Sequence, residues 1–256
     1  MRVGDGRGTA GANTNCNLSR SWCLIDTACI LRWMQCDPVT LPMLSQATTA
    51  LRSAILNCAS TVVVEAGEML FNVGDPGDAL YVVDTGAIEI GVVSPDGQKY
   101  ALSVMAEGDV FGEIALFDGS PRTAAATALR QSRLRRIHRS DVLNSIQAKP
   151  ELALDLIQLM CVRLRWMHGL MEDEAFLPLP VRLAKRLMVL ASRIGGEDGA
   201  VRISQSGLAE FVGATREGVG KILVAWRSRG WIALSRNRIE ILDLKALESV
   251  AAALDA

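Results

Sequence analysis

Phe111-Gly112-Glu113-Ile114-Ala115-Leu116-Phe117-Asp118-Gly119-Ser120-Pro121-Arg122-Thr123-Ala124-Ala125 is the stretch on which the reading of this chain turns. Its pattern predicts a brief helical turn over 112–117, then a Gly-Ser-Pro turn, then a strand opening at Arg122. Backbone N–H groups at a helix start have no partner inside the helix and sit at the positive end of its dipole, so they attract an anion. Arg122 pairs with phosphate through its planar fork, and Thr123 adds a hydroxyl donor. Glu113 cannot sit on a phosphate, since like charges repel, but it accepts a hydrogen bond from a sugar hydroxyl. Gly112, Ile114 and Ala115 complete the candidate ligand-binding set in that first turn. The chemistry asks for a ligand with a single anionic phosphate and a ribose beside it. A lone Gly-Glu is an ordinary turn; the ordered set makes the reading specific.

The chain around this stretch has 256 residues, room for about two domains. Half of them are hydrophobic, 50%, enough to bury a core and too many for a disordered chain. No apolar run reaches the roughly 18 residues that span a bilayer, and the start lacks a signal-peptide layout. A soluble, cytoplasmic protein with no membrane partner is expected. The net charge of −1 hides an uneven distribution, because residues 181–256 carry 12 Lys/Arg against 8 Asp/Glu. A basic C-terminal region on an acidic body suits a DNA-contacting module attached to a sensor.

Apolar residues over 41–56 fall at loose helical spacing, and from 61 to 138 the texture changes to short β-rich runs. Strands are expected over 61–64, 79–83, 88–93, 100–105, 122–129 and 135–138. Between them stand the turn signals Asp75-Pro76-Gly77, Asp84-Thr85-Gly86, Pro95-Asp96-Gly97 and Glu107-Gly108-Asp109. Many short strands with regular turns argue for a small antiparallel barrel or jelly roll. Pro150 then opens a long helix to about 177, where Ile157, Met160, Leu164, Met167 and Met171 step by threes and fours as a heptad seam. That spacing fits a helix that touches both its own barrel and a twin helix. Pro178 and Pro180 mark a hinge. A helix over 181–194 follows, and then a helix-turn-helix pattern in which Ser204 and Thr215 are natural N-caps and Gly213 permits the turn. Residues 231–241, broken at Ser235-Arg236-Asn237-Arg238, read as a hairpin wing with a cationic tip.

The stretch 111–125 resembles the phosphate-binding cassette of cyclic-nucleotide-binding domains, and 74–86 is similar to their β-roll. The block over 203–241 resembles the winged helix-turn-helix of the Crp/Fnr superfamily, its Arg216-Glu217-x-Val219-Gly220-Lys221 core being similar to that of the catabolite-activator branch. The resemblance covers roughly 41–244 in the family's domain order. It implies an α+β fold: an atypical N-terminal extension over 1–40, a cyclic-nucleotide-binding β-roll over 41–149, a dimerisation helix over 150–177, and a winged helix-turn-helix over 178–256. The extension has a choice of origins: a flexible tail of the natural protein, or an upstream start with Met34 or Met43 as the natural initiator.

By the same resemblance, Arg122 and Thr123 take the phosphate, Glu113 takes the ribose hydroxyl, and Arg163 supports that carboxylate. The chain departs from the family just beyond, with Met167-His168 where a Thr-Ser pair reads adenine from the dimer helices. Met167 can only pack on a base, whereas His168 can hydrogen-bond one. Thr123 is the residue type tied to guanine in eukaryotic relatives, so cAMP and cGMP both stand as effectors, cAMP favoured. On the DNA side, Arg216 can contact guanine and Glu217 can accept from cytosine, while Lys221, beside Gly220, reaches a guanine or a phosphate. Gln205, Thr215, Arg236 and Arg238 suit phosphate contacts. A homodimer would bind an inverted repeat, with TGTGA-like half-sites about 34 Å apart, and RNA polymerase is an expected partner.

The cysteines and histidines raise other readings. Cys16, Cys23, Cys29, Cys36, Cys58 and Cys161 show no C-x2-C pair, so free thiols and no metal are expected. The family's oxygen sensors do carry N-terminal cysteines, which keeps a redox, iron–sulfur or haem sensor as the alternative. An enzyme is not expected, because His138 and His168 are the chain's 2 histidines and no nucleophile–base constellation accompanies them.

Overall fold

The computed structural model describes Ser53 and residues 56–252, Gln98, Glu197 and Asp198 apart. The extension expected over 1–40 and all but the last turn of the helix expected over 41–56 lie outside the described residues, as do Cys16, Cys23, Cys29 and Cys36. Six strands form one antiparallel sheet: β1 (Ser60–Val64), β2 (Met69–Phe71), β3 (Ala79–Val93), β4 (Lys99–Met105), β5 (Val110–Phe111) and β6 (Ala125–His138). Their order is β1-β6-β3-β4, with β2 paired to β6 and β5 to β3. Side chains alternate across a strand, and β3 uses both of its faces. Ala79, Tyr81 and Val83 enter one core with Ile88, Phe111 and Leu134. Leu80 and Val82 enter another with Leu116, Ile137 and Val142.

Two expectations about this sheet are corrected. Asp84-Thr85-Gly86 is not a chain reversal; β3 runs through it as a single strand of 15 residues. Its pairing with β6 shifts register at Val83/Thr85, Thr85/Ala87 and Ala87/Ile88, so the extra residues are absorbed as bulges. Gly86, at φ 105°, makes this possible, since a Cβ there would lie 2.2 Å from the Ser132 hydroxyl that accepts the Ala87 N–H. By the same continuity the runs 122–129 and 135–138 merge into β6, which opens at Ala125, not Arg122. The Arg122 backbone is held in a loop instead, donating to the Asp75 carbonyl and accepting from Gly74 N–H.

Three helices attach to the roll: α1 (Glu113–Asp118), α2 (Arg139–Ala148), which the sequence pattern does not announce, and α3 (Glu151–Phe176). Leu152, Leu156 and Leu159 press α3 against the face of β3 that carries Leu80 and Val82. Each such burial is worth roughly 1.5–3 kcal/mol. The other side of α3 is left in solvent. Ile157, Leu164, Met167 and Met171 are exposed and Met160 is partly buried, so the heptad seam lies open.

Pro178 caps α4 (Leu179–Ile194), and Pro180 sits in its first turn, where no intrahelical N–H is required. The remaining elements are β7 (Ala200–Val201), α5 (Gln205–Val212), α6 (Arg216–Ser228), β8 (Ile232–Ser235), β9 (Arg238–Ile241) and α7 (Leu244–Ala251). The strands form a small sheet in the order β7-β9-β8. Leu183, Leu187, Leu208, Phe211, Val219, Leu223 and Trp226 fill the module's core, which continues into Ala87, Ala101 and Val104 of the roll. Among the described residues no helix is long and apolar enough to cross a membrane.

Candidate functional site

The turn before α1 gathers its site by backbone geometry. Gly112 adopts φ 81° as the N-cap and Gly119 φ 73° as the C-cap, so the helix is closed after one and a half turns by two left-handed residues. A helix this short sums few peptide dipoles; the attraction for an anion rests on Arg122. Arg122 is 4% exposed and Glu113 is 2% exposed, and both line one pocket with Phe71, Ile90, Phe111 and Thr123. Gly112, Ile114, Ala115, Ala124 and Arg163 complete the wall. Thr123 itself is exposed at the rim.

The Arg122 guanidinium is fixed on three sides. Nη1 donates to the Gly112 carbonyl and Nη2 to the Ala79 carbonyl, each at 2.7 Å. Its plane lies over the Phe71 ring, 4.3 Å from the centroid, with Tyr81 beyond at 5.8 Å. Nε is buried and has no hydrogen-bond partner. Burial pushes the guanidinium pKa down, opposed by Tyr81, Asp78 and Glu113 nearby. An arginine stays charged regardless, so a buried cation presents an unmet donor, which an anion would satisfy.

Glu113 is countered by Arg163 of α3, whose Nε lies 3.8 Å from Oε1. Arg163 Nη1 reaches Met105 Sδ at 3.8 Å, and its plane faces the Trp166 ring at 5.3 Å. The sequence-predicted Met167 and His168 are not brought into this pocket; they follow on α3 and are exposed. Sequence reasoning missed the aromatic bed of Arg122 and the role of Gly77. A Cβ at Gly77 would stand 2.1 Å from that of Ala115, so this glycine is required for the loop to close on α1. Its Asp-Pro-Gly setting signalled a turn and nothing about the approach.

The second predicted surface is the helix-turn-helix. Ser204 Oγ accepts from Gly207 N–H at 2.9 Å and Thr215 Oγ1 from Gly218 N–H at 3.1 Å, capping α5 and α6. Gly213 makes the turn at φ 68°. Val219 and Leu223 are buried, which turns Arg216, Glu217 and Lys221 of α6 outward. Glu217 and Lys221 meet at 2.7 Å as an i,i+4 pair. Gln205 of α5 lies over Gly220, its Oε1 3.5 Å from where a Cβ would stand. In the wing, Arg236 is exposed beside Asn237 at φ 54°, whereas Arg238 turns back to Glu240 at 3.1 Å.

Cys58 and Cys161 are free thiols on the surface. Among the described residues no three His, Cys, Asp or Glu side chains gather as a metal-holding group.

These geometries agree with comparisons to known proteins. A family model for the cyclic nucleotide-binding domain matches residues 61–149, and one for the Crp-like helix-turn-helix domain matches 181–250. The chain is similar to the CRP-like cAMP-activated global transcriptional regulator of Mycobacterium tuberculosis, with 37% identity over 186 residues, 71% of this chain and 83% of that protein. It is also similar to the cyclic AMP receptor protein of Thermus thermophilus, with 30% identity over 185 residues, 72% of this chain and 85% of that protein. Among solved structures, a CRP/FNR-family transcriptional regulator from Thermus thermophilus superposes with a TM-score of 0.66 at 30% identity, covering 75% of this chain and 98% of the other.

Proposed function

The chain belongs to the Crp/Fnr family of transcription regulators, and from that premise we propose that a cyclic nucleotide controls its binding to an inverted-repeat operator. It joins a cyclic nucleotide-binding domain to a Crp-like helix-turn-helix, so it is a regulator and not an enzyme. The observation that carries the proposal is the pair Glu113 and Arg122: opposite charges, both buried, facing one pocket, with Arg122 Nε unmet. A cyclic nucleotide offers one phosphate charge to Arg122 and a ribose hydroxyl to Glu113, with Thr123 at the rim beside the phosphate. Arg163 holds Glu113 from the helix side.

The effector is cAMP in this reading, supported by the names of relatives at 37% and 30% identity. cGMP is the second reading, carried by the resemblance of Thr123, at the pocket's rim, to the residue type tied to guanine in eukaryotic relatives. The open seam of α3 is taken by a second copy, and pairing of the helices brings Met167 and His168 to the base side of the ligand. Differential binding to two arrangements of that dimer is what shifts its affinity for DNA. Arg216, Glu217 and Lys221 read bases in TGTGA-like half-sites about 34 Å apart. Gln205, Thr215, Arg236 and Arg238 hold phosphates. The regulator works in the cytoplasm and meets RNA polymerase at its promoters.

Calorimetric titration with cAMP and, separately, cGMP tests this, with Arg122→Ala as control. Binding of one nucleotide that the control loses is expected, and the tighter of the two names the effector. Heat from neither nucleotide would sink the cyclic-nucleotide reading and return attention to the cysteines.

A further inference from the structure

One short run of chain, 104–113, touches the winged module at its start and the pocket at its end. The Val104 carbonyl accepts from Nη1 of Arg193, in the last turn of α4, at 3.2 Å. Asp109 then takes the same guanidinium on both carboxylate oxygens, at 2.6 and 3.3 Å. The Asp109 side chain is buried, 4% exposed, and that of Arg193 is partly buried, 14% exposed. Asp109 Oδ2 also accepts the Ala106 N–H, and the Asp109 carbonyl accepts from Val83 N–H, which ties this turn to β3. Farther along, Phe111 walls the pocket, the Gly112 carbonyl accepts from Arg122, and Glu113 faces Arg163. Strand alternation adds a second crossing point. Val104 packs in the winged module's core, while its neighbour Met105 packs in the roll and touches Arg163.

We infer that the Arg193–Asp109 clamp is the link through which pocket and winged module sense each other, Arg193 acting as a positioning residue. The inference rests on the cyclic-nucleotide reading above. A ligand drawing on Arg122, Glu113 and Arg163 acts on one end of the 104–113 run, and Arg193 holds the other. Asp109 is buried, so parting it from Arg193 leaves an uncompensated charge inside the fold, which is strongly unfavourable. The pair is made or broken, and such a two-state element is what coupling between distant sites requires.

The test is a linkage cycle on the full chain. DNA affinity is read by fluorescence anisotropy with and without saturating cAMP, and with cGMP in a parallel arm, on a duplex that the wild-type protein selects from a randomised pool. Couplings of about 5–150-fold are usual. The double variant Asp109→Asn/Arg193→Gln, which leaves no charge buried, is expected to cut the nucleotide's effect on DNA affinity to below about twofold. It is expected to keep measurable binding of each ligand alone. Arg193→Lys, which keeps the charge but cannot fork onto both oxygens, is expected to fall between. Full coupling in a folded double variant overturns the clamp; should that variant fail to fold, full coupling in Arg193→Lys overturns it equally. A wild-type protein that binds neither nucleotide, or binds without any change in DNA affinity, overturns the nucleotide reading and the clamp with it. A coupled wild type beside an equally coupled variant overturns the clamp alone.

Discussion

Arg122 and Arg216 carry the same guanidinium and are held in opposite ways. Arg122 is almost wholly buried, bonded to two backbone carbonyls and laid on an aromatic ring. Arg216 stands in solvent at the start of α6, on a helix fixed from behind by Val219 and Leu223. In the pocket the ordering cost of the side chain is met when the chain folds, so a small ligand finds its partner in place. On α6 the helix is fixed from behind while Arg216 stands exposed, so much of the cost of ordering that long side chain falls on DNA binding. The contrast assigns different penalties to substitution. Changes in the pocket should damage folding and ligand binding together, whereas changes on α6 should damage DNA binding alone.

Arg122→Ala is the strongest test of that division. It removes the hydrogen bonds to the Gly112 and Ala79 carbonyls and leaves a hole beside Phe71. Losses of this kind cost on the order of 3 kcal/mol in stability, which urea unfolding would register alongside loss of nucleotide binding in calorimetry. Unchanged stability would mean the pocket is not preorganised in the way its hydrogen bonds imply. Gly77→Ala comes next. Its new methyl would meet Ala115 Cβ at 2.1 Å and push α1 out of line, an overpacking effect of about 1–3 kcal/mol. A tenfold or greater loss of nucleotide affinity is expected, read by calorimetric titration.

Arg216→Ala probes the other side of the comparison. Losing one bidentate base contact should remove about 1–3 kcal/mol of discrimination at a single base position, measured as binding to a panel of singly substituted operators. Unfolding free energy should move by no more than about 0.5 kcal/mol, as for other exposed sites. A weakening that is uniform across the panel would instead assign Arg216 to phosphate.

What the sequence made readable follows the same line between local and distant contacts. The cassette and the helix-turn-helix were legible because each is a short run whose caps, turns and charges lie within a few residues: Gly112 to Thr123, Ser204 to Lys221. The continuity of β3 was not. Its glycine reads as a turn, and only the register shifts against β6, with Ser132 packed against it, make Gly86 part of a bulge. Phe71 and Tyr81 under Arg122 are brought there by strand pairing, which no local pattern announces. Arg193 and Asp109 stand 84 residues apart, each an ordinary surface charge when read along the chain. Met167 and His168 were legible as a departure from the family, yet a single chain leaves them outside the pocket.

The smallest expected effect uses the fact that the chain holds only 2 tyrosines, both in the roll, one beside the pocket and one against the winged module. Tyr81 lies under Arg122 in the roll, and Tyr100 on β4 donates to Glu174 Oε2 at 2.7 Å, where the turn residue Gly213 packs. Burial raises the pKa of Tyr81, with Arg136 and Arg122 opposing. Burial, then the hydrogen bond and charge of Glu174, push Tyr100 up to about 12. A phenol whose folded pKa lies above the unfolded value of about 10 lends stability below that value. The contribution is lost as pH rises from about 10 through about 12. Spectrophotometric titration of tyrosinate should therefore show a step near 12 that Tyr100→Phe removes. Glu174→Gln should move that step only some of the way down, because burial is the larger cause. Part of that burial comes from the neighbouring module, since a Cβ at Gly213 would lie 2.9 Å from the Tyr100 ring. A Tyr100 that titrates at its ordinary value would mean the winged module does not rest on the roll in solution, and the Arg193–Asp109 clamp would then have nothing to hold.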